Sequence, residues 1–290
     1  MTATNQDPDQ LIEAVCTLAR EAGAAIMPHY RALADGDVSE KIDGSPVTAA
    51  DHAADQVILA GLRSLTPDIP IITEEEVAAG RIPALDRGRP FWLVDPLDGT
   101  KEFIKKRDEF TVNIALIQEY RPVLGVVYAP ALDQLFGGYQ GGSAFIEDGA
   151  APRAPIAVRQ PPEAGLTLVA SRSHGKGEGE SGSYAGYRIA DVAARGSSLK
   201  FGLIAAGKAD IYPRPGPTSE WDTAAGDAVL RAAGGHVMIM ETGAPLLYGT
   251  KAPDFLNPAF IATGPFTVPP QPQQEPKPAS AVSSVPRNDL

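Results

Sequence analysis

The 290-residue sequence predicts an α/β (α+β) fold, with an antiparallel-sheet N-terminal half followed by an α/β C-terminal half. Three features lead there: two helical patterns near the start, closely spaced β-like runs between Phe110 and Ile146, and alternating strand and helix patterns later. At roughly 150 residues per domain the length suits one large or two moderate units. The expected division is an N-terminal half over 1–155, a C-terminal half over 156–267 and a tail over 268–290.

Asp7-Pro8 reads as a helix start, because Asp accepts a first-turn amide and Pro lacks an N–H that the first turn leaves unused. Leu11, Val15, Leu18, Ala22, Ile26 and Tyr30 recur three or four apart, the period of one buried face. A second helix is expected from Thr48, with Asp51 in its first turn and Ala54, Ile58, Leu62 and Leu65 as its apolar stripe. Ile69 to Thr73 and Phe91 to Asp95 read as strands that end at carboxylates. FTVNIALI, VLGVVYAP, QLFGGY and SAFI then follow at the intervals of an antiparallel meander. After a proline-containing stretch at 150–162, LTLVAS, a helix near Ser198 to Ala206, ADIYP, a helix from Asp222 and GGHVMIM alternate. Residues 268–290 hold six prolines and few large apolar groups, so burial there cannot offset ordering entropy and a disordered tail is expected.

The net charge of −11 argues against binding a nucleic-acid polymer, which needs a basic surface, and favours a small substrate. No apolar run approaches the roughly 18 residues of a membrane-spanning helix. The first residues lack a basic start followed by an apolar stretch, so a cytoplasmic protein is expected. Cys16, the sole cysteine, falls on the inner face of the first helix and is expected to be buried and inert.

The chemistry concentrates in WLVDPLDGTKEFI, residues 92–104, where an apolar strand runs into Asp95 and Asp98. Carboxylates three apart in such a turn can converge on one cation, and Pro96 and Gly99 leave carbonyls free to help. Asp-Pro and Asp-Gly are also ordinary turn formers, and the dipeptides alone favour that reading. Gly99 and Thr100 supply backbone amides that can hold phosphate oxygens, since glycine permits close approach and a following helical turn aims its amides at the anion.

The string VDPLDGTKEF closely resembles the metal-binding signature of the inositol monophosphatase superfamily, and its KEF continuation resembles the bacterial 3'(2'),5'-bisphosphate nucleotidase branch. SPVTAAD (45–51), ITEEE (72–76), GSSLKFGLIAAGKADIYPR (196–214) and EWDTAAGDAVL (220–230) recur in the family's order. The resemblance runs through residue 265 and leaves out only the tail and the glycine-rich stretch at 175–182. It implies a layered fold with the active site between the two halves. It also implies that Glu74, Asp95, Asp98 and Asp222, with the Leu97 carbonyl, bind two or three Mg2+ ions. Alone, Glu74 reads as part of a solvated charge run and Asp222 as a helix N-cap. Four carboxylates in one pocket repel unless cations neutralise them, and an all-oxygen shell selects magnesium over zinc.

By the same resemblance a water is activated with help from Thr100 and a nearby carboxylate, Asp51 or Glu74, with Asp51 favoured. Glu74, Leu97, Asp98, Gly99, Thr100 and Asp222 then also face the substrate. Ser197, Lys200 and Arg214 fall where such nucleotidases hold the second phosphate and nucleotide, and two cationic grips distinguish a bisphosphate from a monophosphate. His174 is expected beside the nucleotide. The activity implied is hydrolysis of adenosine 3',5'-bisphosphate to AMP and phosphate, with lithium sensitivity. An inositol, histidinol or sugar monophosphate phosphatase and a non-catalytic metal- and nucleotide-binding module are the alternatives. The sequence is compatible with a monomer or a homodimer and with peripheral association with the inner membrane.

Overall fold

The computed structural model describes residues 7–33, 38–40, 46–86, 88–171 and 183–271. Helix α1 (Pro8–Ala32) begins as expected, the Asp7 side chain accepting the Asp9 N–H at 3.1 Å. A short antiparallel ladder of β1 (Val38–Glu40) and β2 (Pro46–Thr48) leads into α2 (Ala49–Leu65), so Thr48 closes a strand rather than opening the helix. Next come β3 (Ile71–Thr73), α3 (Glu74–Ala78), β4 (Phe91–Asp98) and α4 (Thr100–Ile104). The meander follows as β5 (Thr111–Gln118), β6 (Arg121–Ala129), β7 (Gln134–Tyr139), β8 (Ala144–Asp148) and β9 (Ala154–Ile156).

These strands form a seven-stranded sheet in the order β3-β4-β5-β6-β7-β8-β9, antiparallel throughout except for the β3–β4 pair. The rest of the chain adds β10 (Leu166–Ser171), β11 (Ser183–Tyr184), β12 (Tyr187–Arg195), α5 (Leu199–Ala205), β13 (Ile211–Arg214), α6 (Trp221–Ala232), β14 (His236–Ile239) and β15 (Phe260–Thr263). Its six-stranded sheet has the order β11-β12-β10-β13-β15-β14, with β10 parallel to β12 and β13.

Period-two burial explains the layering. In β4, Phe91 and Leu93 face one cluster while Trp92 and Val94 face the other. Helices α1 and α2 cover the second face, and Trp92 Nε1–H donates to Thr66 Oγ1 at 2.8 Å, pinning the end of α2 to the sheet. Helices α5 and α6 cover the first face and also pack on the six-stranded sheet through Tyr212 and Phe260. The largest core therefore draws on both halves of the chain. A Cβ at Gly125 would stand 2.4 Å from the Ala225 carbonyl oxygen, so glycine is what lets α6 lie against β6.

Helix α1 also joins an ion-pair group of Glu13, Arg20, Asp133, Glu147 and Arg153. Exposed pairs contribute about 0–1 kcal/mol each, against about 1.5–3 kcal/mol for each large apolar side chain buried, so the Val15–Ile26 face holds the helix. Cys16 lies buried on that face, and burial pushes its thiol up to about 12.

Of the segment expected as a tail, the described part is attached. Val268 packs against the outer cluster of the six-stranded sheet, and the Gln271 N–H donates to the Met240 carbonyl at 2.7 Å. An apolar residue and a backbone partner thus hold residues 268–271, while 272–290 lie outside the described residues.

Candidate active site

The β4–β5 ladder runs from Phe91↔Ile117 to Asp95↔Asn113, shifts register, and resumes at Asp98↔Thr111. Pro96 sits in that irregularity, where a missing N–H costs no ladder bond. Asp95 is buried and its Oδ1 accepts the Leu97 N–H at 3.0 Å. Gly99 then takes φ +91°, and an added Cβ would meet Ser197 Oγ at 3.2 Å and the Glu109 carbonyl oxygen at 3.3 Å. Thr100 opens α4, its Oγ1 3.5 Å from the Leu97 carbonyl, at the limit of a hydrogen bond.

Parallel pairing of Thr73 with Val94 brings Glu74, just past the end of β3, alongside Asp95 within β4. Thr73 is fully buried and caps α3, its Oγ1 accepting the Glu76 N–H at 3.1 Å. Asp51, in the first turn of α2, is 2% exposed. β2, immediately before α2, packs against α4, so the start of α2 lies near the Thr100 turn.

The facing wall comes from the segment before α5 and the start of α6. Ser197 takes φ +52°, an unusual conformation for a non-glycine residue, and its Oγ donates to Asp98 Oδ2 at 2.6 Å. Thr111 Oγ1 stands 2.8 Å from the same Ser197 Oγ. Ser198 Oγ lies 3.0 Å from Asp98 Oδ2 and 2.6 Å from the Asp222 carbonyl oxygen, and it accepts from Asn113 Nδ2 at 2.9 Å. Asp222 Oδ2 in turn accepts the Ser219 N–H at 2.9 Å.

Asp98, Gly99, Ser197, Lys200, Arg214 and Asp222 line one cleft of about 110 Å³. A larger cavity of about 410 Å³ adjoins it along β10, β13 and Pro215 to Pro217, sharing Ser171, Tyr212 and Arg214. Asp51, Glu74, Asp95, Leu97 and Thr100 are not among the cleft's lining residues.

Burial, then Asp98 and Glu74, hold the Asp222 carboxyl well above the usual carboxylate range, against the pull of the Ser219 amide and Arg214. Burial pulls the Lys200 ammonium down to about 8, opposed first by Asp98. Its Nζ donates to the Ser197 carbonyl and stands 5.3 Å from the Tyr212 ring centre. Lys200 is thus a buried group rather than a surface charge. Arg214 Nε is buried without a hydrogen-bond partner.

Among the described residues, no group of three or more His, Cys, Asp or Glu side chains stands close enough to hold a metal ion as it is. The donor set nevertheless fits a hard divalent cation: it is all oxygen, and half-buried Asp222 feels two further carboxylates whose repulsion a cation would relieve. Of the four expected ligands, Asp98 and Asp222 share the cleft and Glu74 lies within electrostatic reach of Asp222, while one oxygen of Asp95 engages the Leu97 amide. His174 and the glycine-rich stretch at 175–182 lie outside the described residues. Sequence reading missed Ser198, Thr111, Asn113 and Tyr212, although Ser198 and Tyr212 both stand inside GSSLKFGLIAAGKADIYPR (196–214).

The model of the inositol monophosphatase family matches residues 7–283, and the chain belongs to that family. It is 47% identical over 258 residues to the 3'(2'),5'-bisphosphate nucleotidase CysQ of Escherichia coli (strain K12), covering 86% of this chain and 98% of that protein. Its identity to the CysQ of Salmonella typhimurium (strain LT2) is 48% over 261 residues, covering 87% and 99%. Among solved structures, CysQ from Bacteroides thetaiotaomicron matches with a TM-score of 0.72 at 36% identity, covering 89% of this chain and 98% of that one. An inositol monophosphatase from Anabaena matches with a TM-score of 0.67 at 28% identity, covering 90% and 93%.

Proposed function

We propose that the chain is a magnesium-dependent 3'(2'),5'-bisphosphate nucleotidase that hydrolyses adenosine 3',5'-bisphosphate to AMP and phosphate. One observation carries the substrate choice: the acidic cleft of Asp98 and Asp222 also holds Lys200 and an Arg214 whose buried Nε has no partner. A site with carboxylates for a cation and two cationic side chains beside them suits a substrate with two phosphates. The CysQ relatives, at 47–48% identity over most of the chain, support the same reading.

In this reading Glu74, Asp95, Asp98, Asp222 and the Leu97 carbonyl hold Mg2+, two or three ions. Bound there, Mg2+ would neutralise the carboxylates and polarise the phosphate. Ser197 and Ser198 fix the Asp98 carboxylate through its Oδ2, leaving Oδ1 for the cation. The amides of Gly99 and Thr100 hold phosphate oxygens, and the Thr100 hydroxyl with Asp51 takes the proton of the attacking water. Glu74 is the alternative base. Water adds to the 3'-phosphorus, the P–O3' bond breaks, and the departing ribose oxygen takes up a proton. Lys200 and Arg214 grip the second phosphate, and His174 borders the nucleotide.

The chain division at 155, the cytoplasmic location and lithium inhibition belong to the same proposal. No described helix is long and apolar enough to cross a membrane. The test is phosphate release from adenosine 3',5'-bisphosphate, inositol monophosphate, histidinol phosphate and sugar monophosphates with Mg2+. The bisphosphate is expected to give the highest kcat/KM, and a preference for inositol monophosphate overturns the substrate choice.

A further inference from the structure

Thr111 opens β5 directly opposite Asp98, at the point where the β4–β5 ladder resumes, and Asn113 follows two positions on, on the same face. Both residues are fully buried. Thr111 Oγ1 stands 2.8 Å from Ser197 Oγ, and Asn113 Nδ2 donates to Ser198 Oγ at 2.9 Å. Each serine of the facing wall is thus met by one polar group of the sheet.

The direction of the Thr111–Ser197 bond follows from counting protons. Ser197 Oγ has three oxygens in reach: Asp98 Oδ2 at 2.6 Å, the Asp98 carbonyl at 2.8 Å and Thr111 Oγ1 at 2.8 Å. A carbonyl and a carboxylate can only accept, and a hydroxyl carries a single proton. The carboxylate is the strongest acceptor of the three, so Ser197 donates to Asp98 and Thr111 donates to Ser197. A hydroxyl that accepts one bond is polarised to donate the next more strongly. Thr111 is β-branched and stiff at χ1, and the ladder holds its backbone, so its hydroxyl is a fixed point. Ser197 is the less settled partner, since its φ of +52° persists only where the surroundings determine it.

We propose that Thr111 is a positioning residue: by donating to Ser197 it fixes the hydroxyl that holds Asp98 Oδ2, and so keeps Oδ1 of the same carboxylate turned to the cation. The inference rests on the magnesium reading of Asp98, and adds to it a residue of the sheet that does not itself line the cleft. The hydroxyl, not the volume of the side chain, is the working element, and it acts only through Ser197.

The test is a double-mutant cycle in the full chain: Thr111→Val, Ser197→Ala and the two together, with Thr111→Ser as the conservative variant. Isothermal titration measures Mg2+ affinity without substrate. Phosphate release from adenosine 3',5'-bisphosphate gives the half-maximal Mg2+ concentration, and KM at saturating Mg2+. Thr111→Val keeps the β-branched shape and removes the hydroxyl, so Mg2+ affinity is expected to fall about 10- to 100-fold at unchanged KM, the range for losing a partner that orients a ligand. Thr111→Ser keeps the hydroxyl and should stay near the wild type. In the Ser197→Ala background Thr111→Val should lower affinity little further, because the bond it feeds is already gone. If Thr111→Val does not fold, Thr111→Ala takes its place in the cycle. Wild-type affinity in the Val variant overturns the assignment, as do equal losses in Thr111→Ser and Thr111→Val, or full additivity with Ser197→Ala. A wild-type chain that binds Mg2+ yet releases no phosphate from the bisphosphate ends the nucleotidase reading, and the cycle in Mg2+ affinity still judges Thr111.

Discussion

Ser198 stands against Asp98, its Oγ 3.0 Å from the carboxylate Oδ2, while the same oxygen lies 2.6 Å from the Asp222 backbone carbonyl. One hydroxyl therefore spans two of the carboxylate residues assigned to magnesium. Ser198→Ala is expected to lower kcat about 10- to 100-fold and to raise the Mg2+ concentration for half-maximal rate, as loss of such supporting contacts does. A magnesium titration of phosphate release measures both, and an unchanged half-maximal concentration would remove Ser198 from the site.

Asp95→Asn preserves the acceptor for the Leu97 amide, so the irregularity within β4 should survive the exchange. The lost charge removes a hard ligand. Turnover is expected to vanish, and the rise in Tm that Mg2+ gives the wild type should shrink, while circular dichroism stays unchanged. A near-normal rate contradicts the metal assignment.

Arg214 leaves a buried Nε without a partner in the cleft, the position of a donor waiting for an anion. Replacing it with Ala removes charge-assisted bonds of about 1.5–3 kcal/mol each, so KM for the bisphosphate should rise about 10- to 100-fold. Hydrolysis of a nucleoside 3'-monophosphate, which lacks the second phosphate, should change little. Equal damage to both substrates would place Arg214 elsewhere in the reaction.

Lys200 supplies a pH dependence with two opposite signs. Its folded pKa, about 8, lies below the ordinary 10.5, so the ammonium is present below about 8 and is lost as pH rises through that value. The grip on the second phosphate weakens accordingly, and KM should climb between pH 7 and 9.5. For folding, the unfolded chain binds more protons between about 8 and 10.5, so this residue's contribution to stability rises with pH over that window. Lys200→Met should flatten the KM rise; an identical profile in that variant assigns the pH effect to another group.

Much of this architecture was legible because local signals and tertiary need agree. Asp7-Pro8 caps α1 as read, and the apolar runs from Thr111 to Asp148 pair as a meander. The strand at Tyr187–Arg195 was missed because much of one side is solvent-exposed and its partner β10 is reached only through long-range parallel pairing. Phe260–Thr263 was missed because four residues give no period to read. At the site, VDPLDGT announces itself through Pro and Gly. Thr111 and Asn113 do not: inside an apolar strand Thr111 looks like an ordinary β-former and Asn113 like an isolated polar exception, and only the register opposite Asp98 and Asp95 reveals what they face. The reverse holds for Lys200: sequence marks the charge but cannot show that packing under Tyr212 would bury it.

The lone thiol, sunk in the first helix and raised to about 12, stays almost wholly protonated at neutral pH. Alkylating reagents and mild oxidants should therefore pass the native chain by. A cysteine placed at any chosen exposed site becomes the single addressable handle, and a fluorophore or spin label can be attached there without first stripping the natural residue.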